Sequence, residues 1–302
     1  MLARVSLLPD EHVYSGIVRG RYLSGQMHIS TQRFFQINAI PYHLFRSQAP
    51  LCSNLHKIIS LFGTSKQQRF NVRLAHTPLA PWLFSYEEGR SFEEVECSGN
   101  RNNLEENPFN TDRRWKFCPL CSVEQRKHFG VTYWQSPHQL PGARVCHIHL
   151  TELHSHDYLR YLDFSLPGHW AEQSSHLPIE RTWQAEWQSF IYLISSSISK
   201  NPSLTYQIKA EVYAYLGVTQ AIKRSDKPKF DQFMSQMQVE LGEECLSGLF
   251  RAYAKNGERK PNILWVTLST FSSSKGIRPP LYWLSILFWL RGELPTLRRL
   301  GC

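Results

Sequence analysis

Apolar residues recur at helical spacing through most of this chain. Val13, Ile17 and Val18 fall on one face of a helix that Asp10 can cap, with Glu11 in its first turn and Ser24 and Gly25 to stop it. A second short helix over 31–38 follows closely, which makes the pair a helix-turn-helix candidate. The pattern repeats over 51–62. Between 87 and 112, by contrast, Glu, Asn, Ser and Gly crowd together with no period, so this stretch reads as a loop or linker. Further on, Trp183, Trp187, Phe190, Ile191, Ile194 and Ile198 mark one long apolar face, and shorter helices are expected over 204–216, 230–241 and 244–255. Basic turns such as KRSDKPK at 223–229 join them. The run LYWLSILFWL at 281–290 is too short to cross a bilayer and is flanked by Pro279, Pro280 and Gly292, so a buried helix is predicted there.

Within that helical framework, Cys118, Cys121, Cys146 and His149 stand apart, spaced as Cys-x2-Cys-x24-Cys-x2-His. Two short knuckles of this kind offer a tetrahedral cage to Zn²⁺. Three thiolates and one imidazole fill all four positions, which leaves no place for a catalytic water and makes the expected ion structural. His147 is an alternative fourth ligand, but Cys-x-His leaves less chain for the tight turn than Cys-x2-His. A redox pair is the other reading of CPLC, yet that chemistry wants the motif opening a helix in a βαβ unit, and here a second half-site follows instead. Trp115, Phe117, Tyr133, Trp134, Leu140 and Val145 would supply the small apolar core that a loop-rich metal unit needs. The fold class expected is therefore mainly α, with helix-turn-helix-like modules flanking a small zinc-binding module. The expected division is 1–110 (N-terminal helical), 111–156 (zinc module) and 176–302 (C-terminal basic helical).

Composition narrows the class. The 302 residues are 42% hydrophobic and 13% aromatic, ample for folded cores. Cys52, Cys97, Cys245 and Cys302 lie outside the metal spacing with no disulfide framework among them, which suits a reducing cytoplasm. No leader opens the sequence, and a soluble protein is expected. The net charge is +9, and residues 200–302 hold 15 Lys and Arg against 8 Asp and Glu, so most of the excess is in the last third. A lopsided basic surface is the footprint of a phosphate-backbone binder, although a solvated basic face gives the same count. No nucleophile elbow, phosphate-binding loop or HExxH helix is present, so no catalytic activity is expected.

The segment from Arg114, WKFCPLCSVEQRKHFGVTYWQSPHQLPGARVCHIHLTEL, resembles the TniQ/TnsD family of bacterial transposition proteins. In that family CPxC is followed by Gly, an aromatic-Trp pair, HQLPG and CxxH. Here these are Cys118, Pro119, Cys121, Gly130, Tyr133, Trp134, His138, Gln139, Leu140, Pro141, Gly142, Cys146 and His149. The opening is similar too, at Glu11, Tyr14, Ser15, Ile17, Arg19 and Gly25, and His76, Thr77 and Pro78 stand where the family carries a short His-Thr element. NPSLTYQIKAEVYAYLGV and GLFRAYAKNGERKPNILWVTL resemble the TnsD branch, whose members run longer, so the chain reads as a short or truncated one. Two positions depart from the pattern. Leu150 replaces the common Gly after CxxH, which is expected to alter the closing turn, and His12 replaces an early Leu, which is expected to loosen the first helix.

The resemblance implies a target selector for a cut-and-paste transposon, with one structural Zn²⁺. Such a protein marks double-stranded DNA and recruits the AAA+ regulator TnsC, which brings the transposase. Expected phosphate contacts are Arg113, Arg114, Lys116, Arg126, Lys127 and Arg144 near the metal, with Lys223, Arg224, Lys227, Lys229, Arg259 and Lys260 in the basic third. The alternative is an adaptor, working as a homodimer on a CRISPR Cascade complex in which guide RNA pairing reads the sequence.

Overall fold

The computed structural model describes residues 5–38, 40, 61–62, 72, 111–112, 114–155, 165–169, 182–201, 203–218, 222–254, 260, 262–269 and 280–302. All but the last two residues of the expected helix over 51–62, most of the 87–112 loop, the 76–78 element, Arg113 and Arg259 lie outside the described residues. The chain is mainly helical and divides into two compact units.

The first unit takes in residues 1–80, 96–99 and 113–188. Its opening helix α1 (Val13–Leu23) buries Val13, Tyr14, Ile17 and Val18. The cap differs from the sequence expectation: His12, not Asp10, is the N-cap, and its Nδ1 accepts from the Tyr14 N–H at 3.1 Å. Asp10 instead sits at φ 55°, turning the chain into the helix, and Glu11 faces inward at 1% exposure. His12 does not loosen the helix. Its ring is 1% exposed and meets the Trp115 indole edge-on at 4.7 Å. A left-handed Gly25 at φ 64° and a short turn lead to α2 (Thr31–Ile37), capped by the Ser30 side chain. Arg21 holds that turn together: it donates to the Gln26 carbonyl at 3.2 Å and to the Ile29 carbonyl, and lies 5.4 Å from the Phe34 ring.

After residue 113 come a two-residue strand β1 (Lys116–Phe117) and helix α3 (Pro119–Phe129), which ends on Gly130 at φ 71°. β1 pairs antiparallel with β2 (His154–Ser155), bringing Phe117 opposite His154. This small sheet was not foreseen, because two residues carry no periodicity to read. Trp115, Phe117, Tyr133, Trp134, Leu140 and Val145 are all buried, as the core expectation had it.

The second unit takes in residues 189–302 together with 81–95 and 100–112. Helix α4 (Thr182–Lys200) contributes its residues from Ser189 onward. Then follow α5 (Leu204–Tyr215), α6 (Lys227–Leu249), α7 (Ile263–Leu268), α8 (Pro280–Trp289) and α9 (Pro295–Leu300). The expected helices over 230–241 and 244–255 form one longer element broken at Gly242, whose φ of 75° and ψ of 159° only glycine adopts cheaply. It stops at Leu249 rather than 255, because Phe250 turns extended to bury its ring against Tyr282 at 5.9 Å. As expected, the apolar run at 281–290 is a buried helix: every residue of α8 from Leu281 to Trp289 is out of water. Around it pack Phe190 at 5.3 Å from Phe288, and Tyr213 at 6.4 Å from Trp283. No described helix is long and apolar enough to cross a membrane.

Candidate metal centre

The four residues that the spacing singled out converge. Cys118 is the N-cap of α3 and Cys121 sits in its first turn, with Pro119 fixing the entry, so both sulfurs gather at the positive end of the helix dipole. Cys146 and His149 come from the tip of a hairpin held by Cys146 N–H to the Thr151 carbonyl at 2.9 Å and Leu153 N–H to the Arg144 carbonyl at 2.7 Å. Within the tip, the N–H groups of Ile148 and His149 both point at the Cys146 sulfur, each at 3.4 Å. That is how a knuckle stabilises a thiolate.

The ligand atoms all lie within 4.8 Å of one another. His149 Nδ1 is 3.6 Å from the Cys118 sulfur, 3.3 Å from Cys121 and 3.6 Å from Cys146, and the Cys121 and Cys146 sulfurs are 3.5 Å apart. A tetrahedron with Zn–S and Zn–N bonds of ordinary length has S···N edges of about 3.6 Å and S···S edges of about 3.8 Å. The cluster therefore has the size of a zinc cage. On its far side, His149 Nε2 faces a Glu124 carboxylate oxygen at 3.2 Å, an outer partner that leaves Nδ1 turned toward the three sulfurs. Sequence reasoning missed Glu124. Its only signal was its place three residues after Cys121 on the same helix face.

Electrostatics favour a cation in the middle. Three thiols this close share their protons unequally: Cys118 is held far below the usual thiol range, first by the hydrogen bond from Cys121, while the same contact pushes Cys121 up. Cys146 is raised to about 11, again chiefly by Cys118. Only a bound cation lets all three ionise together. A second grouping, His138 with Cys146 and His147, also falls within reach of one ion. Burial pushes His138 down to about 3 and lowers His147, so both are neutral imidazoles beside the cage.

Family-pattern residues far apart in sequence meet around this centre. The His12 N–H donates to the Trp134 carbonyl at 2.8 Å, and the Trp134 N–H donates to the Ser15 hydroxyl at 2.8 Å. Ser136 N–H reaches the Asp10 carbonyl at 2.8 Å, and Glu11 bridges to Gln135. Glu11 also grips Arg19 through contacts of 2.9 and 2.6 Å and accepts from Leu8 N–H at 2.8 Å. Gln139, from the HQLPG stretch, acts as a side-chain strand: its amide oxygen accepts from Lys116 N–H at 3.0 Å and its amide nitrogen donates to the Lys116 carbonyl at 2.7 Å. Gln188 reaches back so that one oxygen accepts from the Arg144 and Val145 N–H groups at 3.3 Å each.

The basic residues expected on phosphates divide. Lys116 is a correction: it is 6% exposed and its ammonium donates to the Ala143 carbonyl at 2.6 Å, because the pleat of β1 turns it inward. Arg126 and Lys127 are exposed on α3, with Arg126 donating to the Gly168 carbonyl at 3.4 Å, while Arg114 and Arg144 are half-buried. In the second unit, Lys223, Arg224 and Lys229 are exposed. Lys229 donates to the Gly217 carbonyl at 3.0 Å, Lys227 pairs with Asp231 at 2.7 Å and Lys260 with Glu243 at 3.2 Å.

The family model TniQ matches residues 2–153, half of the chain, and the chain belongs to that family. It is thus a transposition-associated protein. Among curated proteins none matches it.

Proposed function

We propose that this chain selects the target site for a cut-and-paste transposon, holding one structural Zn²⁺ on Cys118, Cys121, Cys146 and His149. The observation that carries the reading is the TniQ match running from the first helix through the whole Cys3His cage. In this reading the metal has no chemical step to perform. It ties the start of α3 to the 145–152 hairpin, while the His12–Trp134–Ser15 hydrogen bonds tie α1 to the same core. The result is a stiff platform on which DNA and the AAA+ regulator TnsC can both rest. The exposed cations Arg126, Lys127, Lys223, Arg224 and Lys229 are the candidates for phosphate contact, with Arg114 and Arg144 at the margin.

A specific observation favours a second reading, the adaptor on a CRISPR Cascade complex. Lys116, Lys227, Lys229 and Lys260 are already engaged by groups of the same chain, which thins the phosphate-binding surface that a DNA reader needs. Nuclease protection of DNA beside the insertion site, with and without the regulator, separates the two. Protection by the chain alone, weakening steeply with salt, supports the selector. Protection that requires a guide-RNA complex supports the adaptor.

A further inference from the structure

A cleft of about 470 Å³ opens where the C-terminal end of α1 meets the segment that follows α3. Tyr22, Leu23, Val131 and Leu166 form its walls, and Arg19 and Arg126 stand at its edges. The lining holds two arginines and no carboxylate. Leu23 is 70% exposed and Tyr22 47%, so two adjacent apolar side chains are open to water beside the cavity. The last turn of α3 adds Lys127 and His128 beside Arg126.

We propose that this cleft docks an acidic amphipathic segment of a partner protein. The segment seats an aliphatic or aromatic side chain between Leu23 and Val131 and sets its carboxylates toward the basic end of α3. A volume of this size takes one or two large side chains, and apolar walls with a few polar groups at the rim are the usual make-up of such a site. A nucleic acid fits less well. The Arg19 guanidinium is held by Glu11 at 2.6 and 2.9 Å, so Arg126 and Lys127 are the cations left at the rim, and the apolar walls beside them would face a charged backbone. Charge complementarity thus selects a negatively charged protein segment with an apolar anchor. The inference rests on the recruiting role proposed above and names the surface that does the recruiting.

The test is selection of short random peptides from a display library on the full-length zinc-loaded chain, without DNA. Enriched peptides should carry net negative charge and a Leu, Ile, Phe or Trp anchor. Their affinity should fall about tenfold or more on Leu23→Asp and be kept on Leu23→Met, with unchanged circular dichroism in both. Lys127→Glu should weaken them as well. Basic or uncharged winners, no enrichment, or equal binding to Leu23→Asp overturns the proposal. Displacement of the peptides by a short DNA duplex whose own affinity falls equally on Leu23→Asp overturns it in favour of a nucleic-acid surface. A failed selection alongside a positive nuclease footprint sinks only the cleft, whereas acidic winners with a negative footprint sink only the DNA role.

Discussion

At the scale of single residues, His12 packs tightly where its sequence reading had a loosened helix, while Leu150 bears on the turn that closes the second knuckle. Leu150 occupies the position where the family commonly carries Gly, and its φ of 53° shows why glycine suits it: the hairpin tip needs a left-handed residue while its N–H reaches the Cys146 carbonyl at 2.9 Å. Being 59% exposed, the leucine gains little packing in return. Leu150→Gly is expected to stabilise the metal-loaded chain by about 0.5–1 kcal/mol, the left-handed strain relieved less the entropy glycine adds. A rise in the denaturant midpoint checks it; a fall would mean the side chain packs. Glu124 can be tested through the metal. Removing the charge behind His149 with Glu124→Gln should weaken zinc affinity about tenfold in a chelator competition, and an unchanged affinity would reduce the 3.2 Å contact to a surface pair. In the second unit Lys209 is 4% exposed with its ammonium 5.0 Å from the Trp283 ring, and burial lowers its pKa well below the usual lysine value. The unfolded chain then binds the proton more readily than the folded one until pH passes about 10.4. Stability of the native chain relative to Lys209→Met should therefore rise with pH from neutrality toward 10, and a flat difference would contradict the burial argument.

At the scale of elements, α1 and the 133–136 stretch depend on each other. Ser15 has no exposure and supplies the acceptor for the Trp134 amide. Ser15→Ala should leave that buried N–H without its partner at a cost of about 1–3 kcal/mol, read as a drop in unfolding free energy, whereas a neutral result would show that α1 docks by packing alone. The same pairing marks what the sequence could reveal. Helices with a 3.6-residue period, such as α1, α4 and α5, were legible from their apolar faces, α8 from an apolar run bounded by proline and glycine, and the Cys3His cluster from its spacing. The true cap at His12 was not, because histidine rarely caps and Asp10 stood nearby as a better candidate. Nor was the inward turn of Lys116, since a two-residue strand gives no alternation from which to tell its faces apart. Pairings across more than a hundred residues, such as Ser15 with Trp134, leave no local trace.

At the scale of the whole molecule, the chain forms two compact units, of which the first joins the TniQ-family motifs to one Cys3His cluster. With the proposed ion bound, a few buried hydrogen bonds and that centre would do what a larger apolar core would otherwise do. X-ray absorption at the zinc edge of the purified full-length chain tests this most directly. The expected spectrum shows one zinc per chain with three sulfurs at about 2.3 Å and one nitrogen at about 2.0 Å, and Cys146→Ser loses both the ion and the fold of the first unit. A folded chain without zinc, or a zinc shell with two sulfurs and two nitrogens drawn from His138 or His147, would contradict it.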